Sequence, residues 1–184
     1  MSPASNALSS PAGAAVQGAL CFGAVSLAVF ATVAFGERWM YQNLGLAGAY
    51  ALWTLLFVSL GAFALGGLVD AGRRTRFYVC FALGFLAYAI GWIASYFLLP
   101  GTTGEWVGSV AGSILMALVF AIGFGRASLV PQIAAILFAA NSLGYFAGSA
   151  LNDAITGQAG MMLWGALYGL GLGAGLGLVL RLLK

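Results

Sequence analysis

The chain has 184 residues, 62% of them hydrophobic and 6% charged, with a net charge of +3 and a mean hydropathy of +1.03. Soluble domains carry about 25% charged residues, and the 7 basic and 4 acidic side chains here cannot clothe a water-facing surface, so lipid is the expected medium. The small basic excess is no nucleic-acid footprint, because its only cluster is Arg73, Arg74 and Arg76.

The chain opens on a stretch rich in Ser, Pro and Ala that lacks the basic start of a secretory signal. Residues 1–14 are therefore expected to be a disordered cytoplasmic lead-in. Apolar runs follow at 15–36, 46–69, 77–99, 106–124, 130–150 and 159–180, leaving 181–184 as a cytoplasmic tail. Each run is long enough to cross about 30 Å of hydrocarbon as a helix. The runs are continuous and lack the in-and-out alternation of barrel strands, which predicts an all-α integral membrane protein with six transmembrane helices. The connections carry turn residues, notably Pro100-Gly101, Gly125-Arg126 and Asn152-Asp153 to Gly157. They leave no room for a soluble domain.

A phrase running from Ser59 to Gly72 returns 83 positions later as Ser142 to Ile155. Serine, leucine, glycine, phenylalanine and aspartate recur in register. Weaker echoes pair Phe35-Gly36 with Phe124-Gly125, and Gly84 to Tyr88 with Gly165 to Tyr168. All keep the order one, two, three against four, five, six. An odd number of crossings separates the copies, which predicts a 3+3 inverted-topology repeat, 15–99 against 106–180. The likeness to inverted-repeat transporters is one of architecture and carries no residue roles across.

With six crossings, Arg73, Arg74, Arg76, Arg126, Arg181 and Lys184 share one side and Arg38 alone lies opposite. Basic loops are retained in the cytoplasm, so both termini are expected there, in a bacterial-type inner membrane. The repeat aspartates then fall at opposite mouths, Asp70 inside and Asp153 outside. Each is either a gate or ion-coupling group or a cap and interface residue. A carboxylate at a helix C-terminus needs a compensating cation. Arg73 or Arg74 is the candidate for Asp70, and Arg38 for Asp153.

Glycines at four-residue spacing mark helix faces built for close approach, since lipid offers little hydrophobic gain from helix association. These are Gly144 and Gly148 in the fifth run, and Gly165, Gly169, Gly173 and Gly177 in the sixth. The last helix is expected to be buried against a neighbour, within the chain or across an oligomer. Ser59, Asn141 and Ser142 are polar residues near mid-span, and each serves as interhelical glue or lines a hydrated path.

Histidine is absent, which removes bis-histidine haem, ordinary zinc sites and Ser-His-Asp catalysis. Cys21 and Cys80 are the only thiols and read as apolar packing residues. Neither a cofactor, a metal nor an enzymatic activity is expected. The expected function is a small inner-membrane transporter or channel for a small solute or ion, its path between the repeats through Ser59, Asn141, Ser142, Asp70 and Asp153. The alternative is a non-catalytic membrane subunit that packs against and stabilises a larger complex. The expected partners are the lipid bilayer and either a homo-oligomer or that larger complex.

Overall fold

The computed structural model describes residues 10–184, and its regular structure is helical throughout. The elements are α1 (Pro11–Gly66), α2 (Arg74–Leu98), α3 (Gly101–Gly123), α4 (Val130–Ile155) and α5 (Gly157–Leu182), with short 3-10 turns at Ala71–Arg73 and Ala127–Leu129. Five helices are long and apolar enough to cross a membrane.

Helix α1 covers 56 residues with one interruption, Gly45, which is not helical, with φ 67 and ψ 178. Only glycine reaches that region without strain. The chain folds back there into two arms, 11–44 and 46–66. Phe22 on the first arm stacks on Phe57 of the second at 5.8 Å, and Tyr41 meets Trp53 edge-on. Residues 37–43, expected as a connection, are helical, because no breaker precedes Gly45 and Asn43 Nδ2 bonds the Trp39 carbonyl at 2.7 Å.

The expected disordered lead-in lies outside the described residues over 1–9. From residue 11 the chain is helical instead, because Ser10 caps the helix through a 3.0 Å bond from Gly13 N and Pro11 stands in the first turn.

The elements pack antiparallel in chain order. The second arm lies along α2 through Phe57–Phe85 and Tyr50–Phe97, and α2 lies along α3, where Gly108 and Gly112 meet Trp92 and Tyr88. Helix α4 lies along α5 through Gly144 and Gly148. A Cβ on Gly144 would stand 2.5 Å from the Leu167 carbonyl oxygen, and one on Gly148 would stand 2.6 Å from Trp164.

The tightest pair is the first arm of α1 against α5. A Cβ on Gly165 would run into Phe30, one on Gly169 into Ser26, one on Gly173 into Gly18 and one on Gly177 into the Ala14 backbone. Two backbones this close gain dispersion contacts that bulkier residues would forfeit, which is how helices associate where the solvent is itself apolar. Ser26 adds a 2.7 Å hydrogen bond to the Gly165 carbonyl.

The turns at Gly45, at Pro100-Gly101 and at Thr156-Gly157 therefore gather at one end. The opposite end holds the start of α1, the 66–74 and 123–130 connections and the end of α5. Arg73 Nη1 ties that end together by donating to the carbonyls of Leu183 and Lys184 at 3.0 and 2.7 Å. Arg74 Nε donates to the Gly66 carbonyl at 3.1 Å.

Candidate functional site

Between the two arms of α1 and helices α2, α4 and α5 lies a cavity of about 280 Å³. Its mouth is at the Gly45 end, bordered by Glu37 and Tyr41 from the first arm and Tyr50 and Trp53 from the second. Trp92 and Tyr145 form one wall, with ring centroids 5.4 Å apart. Trp164 forms the next, 5.3 Å from Tyr145 and 5.9 Å from Phe30. Phe57, Phe85, Tyr88 and Tyr168 close the floor. The arms, α2, α4 and α5 all send aromatic residues to this one space, because each has an aromatic on the face turned inward at the same depth.

Glu37 is the one charged residue among the described lining residues. It is exposed at the mouth, and the Tyr41 hydroxyl faces it. The indole N–H groups of Trp53, Trp92 and Trp164 are buried without a hydrogen-bond partner, and all three residues line the cavity. A buried donor without an acceptor forfeits about 1–3 kcal/mol.

Beneath the floor is a polar cluster. The Tyr88 hydroxyl donates to Asn141 Oδ1 at 2.8 Å, Asn141 Nδ2 donates to Ser109 Oγ at 2.8 Å, and Ser109 and Ser142 share a hydroxyl bond of 2.8 Å. Asn141 is fully buried. Its amide is thus satisfied by side chains from α2 and α3 and borders the cavity only through Tyr88.

Of the residues expected on a path, Asn141 and Ser142 are brought together in this cluster. Ser59, Asp70 and Asp153 are exposed and stand apart from it and from the cavity lining. Asp70 occupies the cap position of the 3-10 turn Ala71–Arg73, without a side-chain capping bond. Arg73 and Arg74, expected as its partners, spend the hydrogen bonds described above on carbonyl groups. Helix α1 makes no backbone approach to α4 among the described residues, so the second arm and α4 are bridged by the cavity's side chains.

Reading the sequence along its length missed Glu37, Ser109 and the three tryptophans as a group. One signal was present: Trp53, Trp92 and Trp164 each lie near the same end of the bundle once the turns are placed. Ser109 was masked by its place in the Gly104, Gly108, Gly112 stripe.

The cavity has neither a paired nucleophile and base nor, among the described residues, a metal-binding cluster. Its chemistry is that of enclosure, with apolar aromatic walls and one carboxylate at the rim. In comparisons with known proteins, the chain matches no family model, no curated relative and no solved structure.

Proposed function

We propose that the protein is a small multi-pass membrane transporter or channel for a small solute or ion, with the aromatic cavity as its solute site. One observation carries this reading. A helical bundle made for lipid holds an end-opening cavity of about 280 Å³ whose floor rests on buried, hydrogen-bonded polar residues. Sites for small molecules are concave and mostly apolar with a few placed polar groups, and this cavity has that form.

In this reading the two arms of α1 are separate spans, which makes six crossings. Arg73, Arg74, Arg76, Arg126, Arg181 and Lys184 then lie at the end away from the cavity mouth, so the retained basic loops put the termini in the cytoplasm and the mouth outside. The path descends from Glu37 to the Tyr88 and Tyr168 floor, and Asn141 and Ser142 brace it from behind.

An inverted repeat is supported by two features. Ser26 and Ser109 are separated by the same 83 positions as Ser59 and Ser142, and Ser26 and Ser109 each hydrogen-bond to a neighbouring helix. Exchanging spans one, two, three with four, five, six also turns the first arm–α5 pair into the α2–α3 pair, and both are held by glycines. Alternating access would then be rocking of one half against the other over the shared floor.

The test is flux in liposomes. Ala89 lines the cavity, and Ala89→Phe should fill it and abolish flux across a broad solute panel that the wild type passes. Flux unchanged in Ala89→Phe removes the cavity from the path. A wild type that passes nothing and purifies with a stoichiometric partner favours the subunit role.

A further inference from the structure

We propose that the cavity binds a small organic cation, a quaternary or protonated amine, with its charge set against aromatic ring faces and countered by Glu37. This rests on reading the cavity as a solute site and names the substrate class of that site.

Three observations converge on a cation. The first is the lining itself. A cation within about 6 Å of a Trp or Tyr ring face is attracted by the ring quadrupole, more strongly where water is excluded. Here Trp53 meets Tyr50 at 73° and Tyr41 at 76°, while Trp92 meets Tyr145 at 61° and Trp164 meets it at 66°. Rings inclined so steeply to one another border a single space with planes of several orientations, which is the arrangement of a cage.

The second is charge. Glu37 is the lone charged lining residue, and neither Lys nor Arg reaches the cavity. Glu105 lies behind the wall, beside the Tyr145 hydroxyl. Glu37, Glu105 and Asp153 share the mouth end with Arg38 alone, so the field at the entrance is negative. An anion meets the wrong sign at every step.

The third is the class of cation. A bare metal ion is bound by about six oxygen ligands, whereas this space offers one carboxylate and scattered hydroxyls among apolar rings. A volume of about 280 Å³ falls just below the ~300–1,000 Å³ of drug-sized sites. A compact ammonium fits these limits.

The experiment is isothermal calorimetry on the full chain in lipid nanodiscs, titrated with tetramethylammonium, choline and the neutral, similarly shaped tert-butanol. Both cations should bind saturably and tert-butanol should not. Glu37→Gln, at an exposed position that leaves packing intact, should weaken cation binding about tenfold, which corresponds to ~1.4 kcal/mol. Trp92→Leu should weaken it by a similar factor, and Asp70→Asn, at the opposite end of the bundle, should leave it unchanged. Equal binding of tert-butanol, no saturable binding of either cation, or wild-type affinity in Glu37→Gln would each overturn the proposal. Cation binding without flux in liposomes would keep the cation site and end the transport reading. Flux of neutral solutes without cation binding would do the reverse.

Discussion

The hydroxyl of Tyr88 and the amide oxygen of Asn141 meet at 2.8 Å, and through that bond the floor of the aromatic cavity is joined to a polar cluster sealed between α2, α3 and α4. Tyr88 shows one face to the cavity and hands its polar tip to the cluster. The same contact settles the partners of Asn141, an asparagine that apolar surroundings would otherwise penalise.

Removing that amide should therefore cost stability. Asn141→Leu leaves the Tyr88 hydroxyl without its acceptor and Ser109 without its donor. Interhelical hydrogen bonds in membranes average ~0.6 kcal/mol each, so a loss of about 1–2 kcal/mol is expected. Unfolding in mixed micelles measures it, and a transition at the wild-type position would contradict the cluster's role.

The first arm and α5 should tolerate no added carbon at their crossing. A Cβ at Gly177 would collide with the Ala14 carbonyl, a backbone atom that cannot rotate aside. Gly177→Ala should destabilise by about 1–3 kcal/mol through overpacking. Gly72, whose Cβ would meet open space, is the matched control, and Gly72→Ala should change stability by less than about 0.5 kcal/mol. Equal melting temperatures for the two variants would mean that the helices do not approach as described.

Two turn positions at the mouth end should respond with opposite signs. Gly45 holds φ 67 and ψ 178, and a side chain there is strained whatever space surrounds it. Thr156 holds φ 57 and ψ 170 with its side chain in place. Such backbone costs about 1–3 kcal/mol in a residue other than glycine. Gly45→Ala should lower the thermal transition and Thr156→Gly should raise it. Shifts of the same sign would argue against both geometries.

Thiol labelling tests the number of crossings. In a background carrying Cys21→Ser and Cys80→Ala, Glu37→Cys should react with an impermeant maleimide added outside intact cells. Asp70→Cys should react only after the membrane is opened. Both positions are exposed, so access is set by side and not by burial. Labelling of both from the same side would leave α1 as something other than two spans.

Much of the helical architecture was legible along the chain. Continuous apolar runs separate helix from barrel by local period alone, and turn residues such as Pro100-Gly101 stand where helices end. The break at Gly45 was harder to place, because the residues before it keep hydrogen bonding as a helix although they are polar. The site was largely hidden. Asn141 and Ser142 stood out as polar residues in an apolar run, but their partners Tyr88 and Ser109 come from other helices. Glu37 looked like any charge at a membrane interface, since nothing adjacent to it in sequence reveals the tryptophans that surround the same space.

From sequence alone, this protein is already a chain for lipid, helical, with small residues ranked on helix faces and basic residues biased to alternate loops. Composition and period are local properties, and the apolar solvent leaves helix as the economical way to satisfy an unbroken backbone. Only the tertiary structure decided which faces meet. Close approach of Gly18 to Gly173 and Gly177 brings α5 against the first arm, and that contact carries Trp164 to the space that Trp53, Trp92 and Tyr145 also border. In lipid the choice among apolar faces depends on how closely two backbones fit, a property of pairs of helices that no single stretch contains.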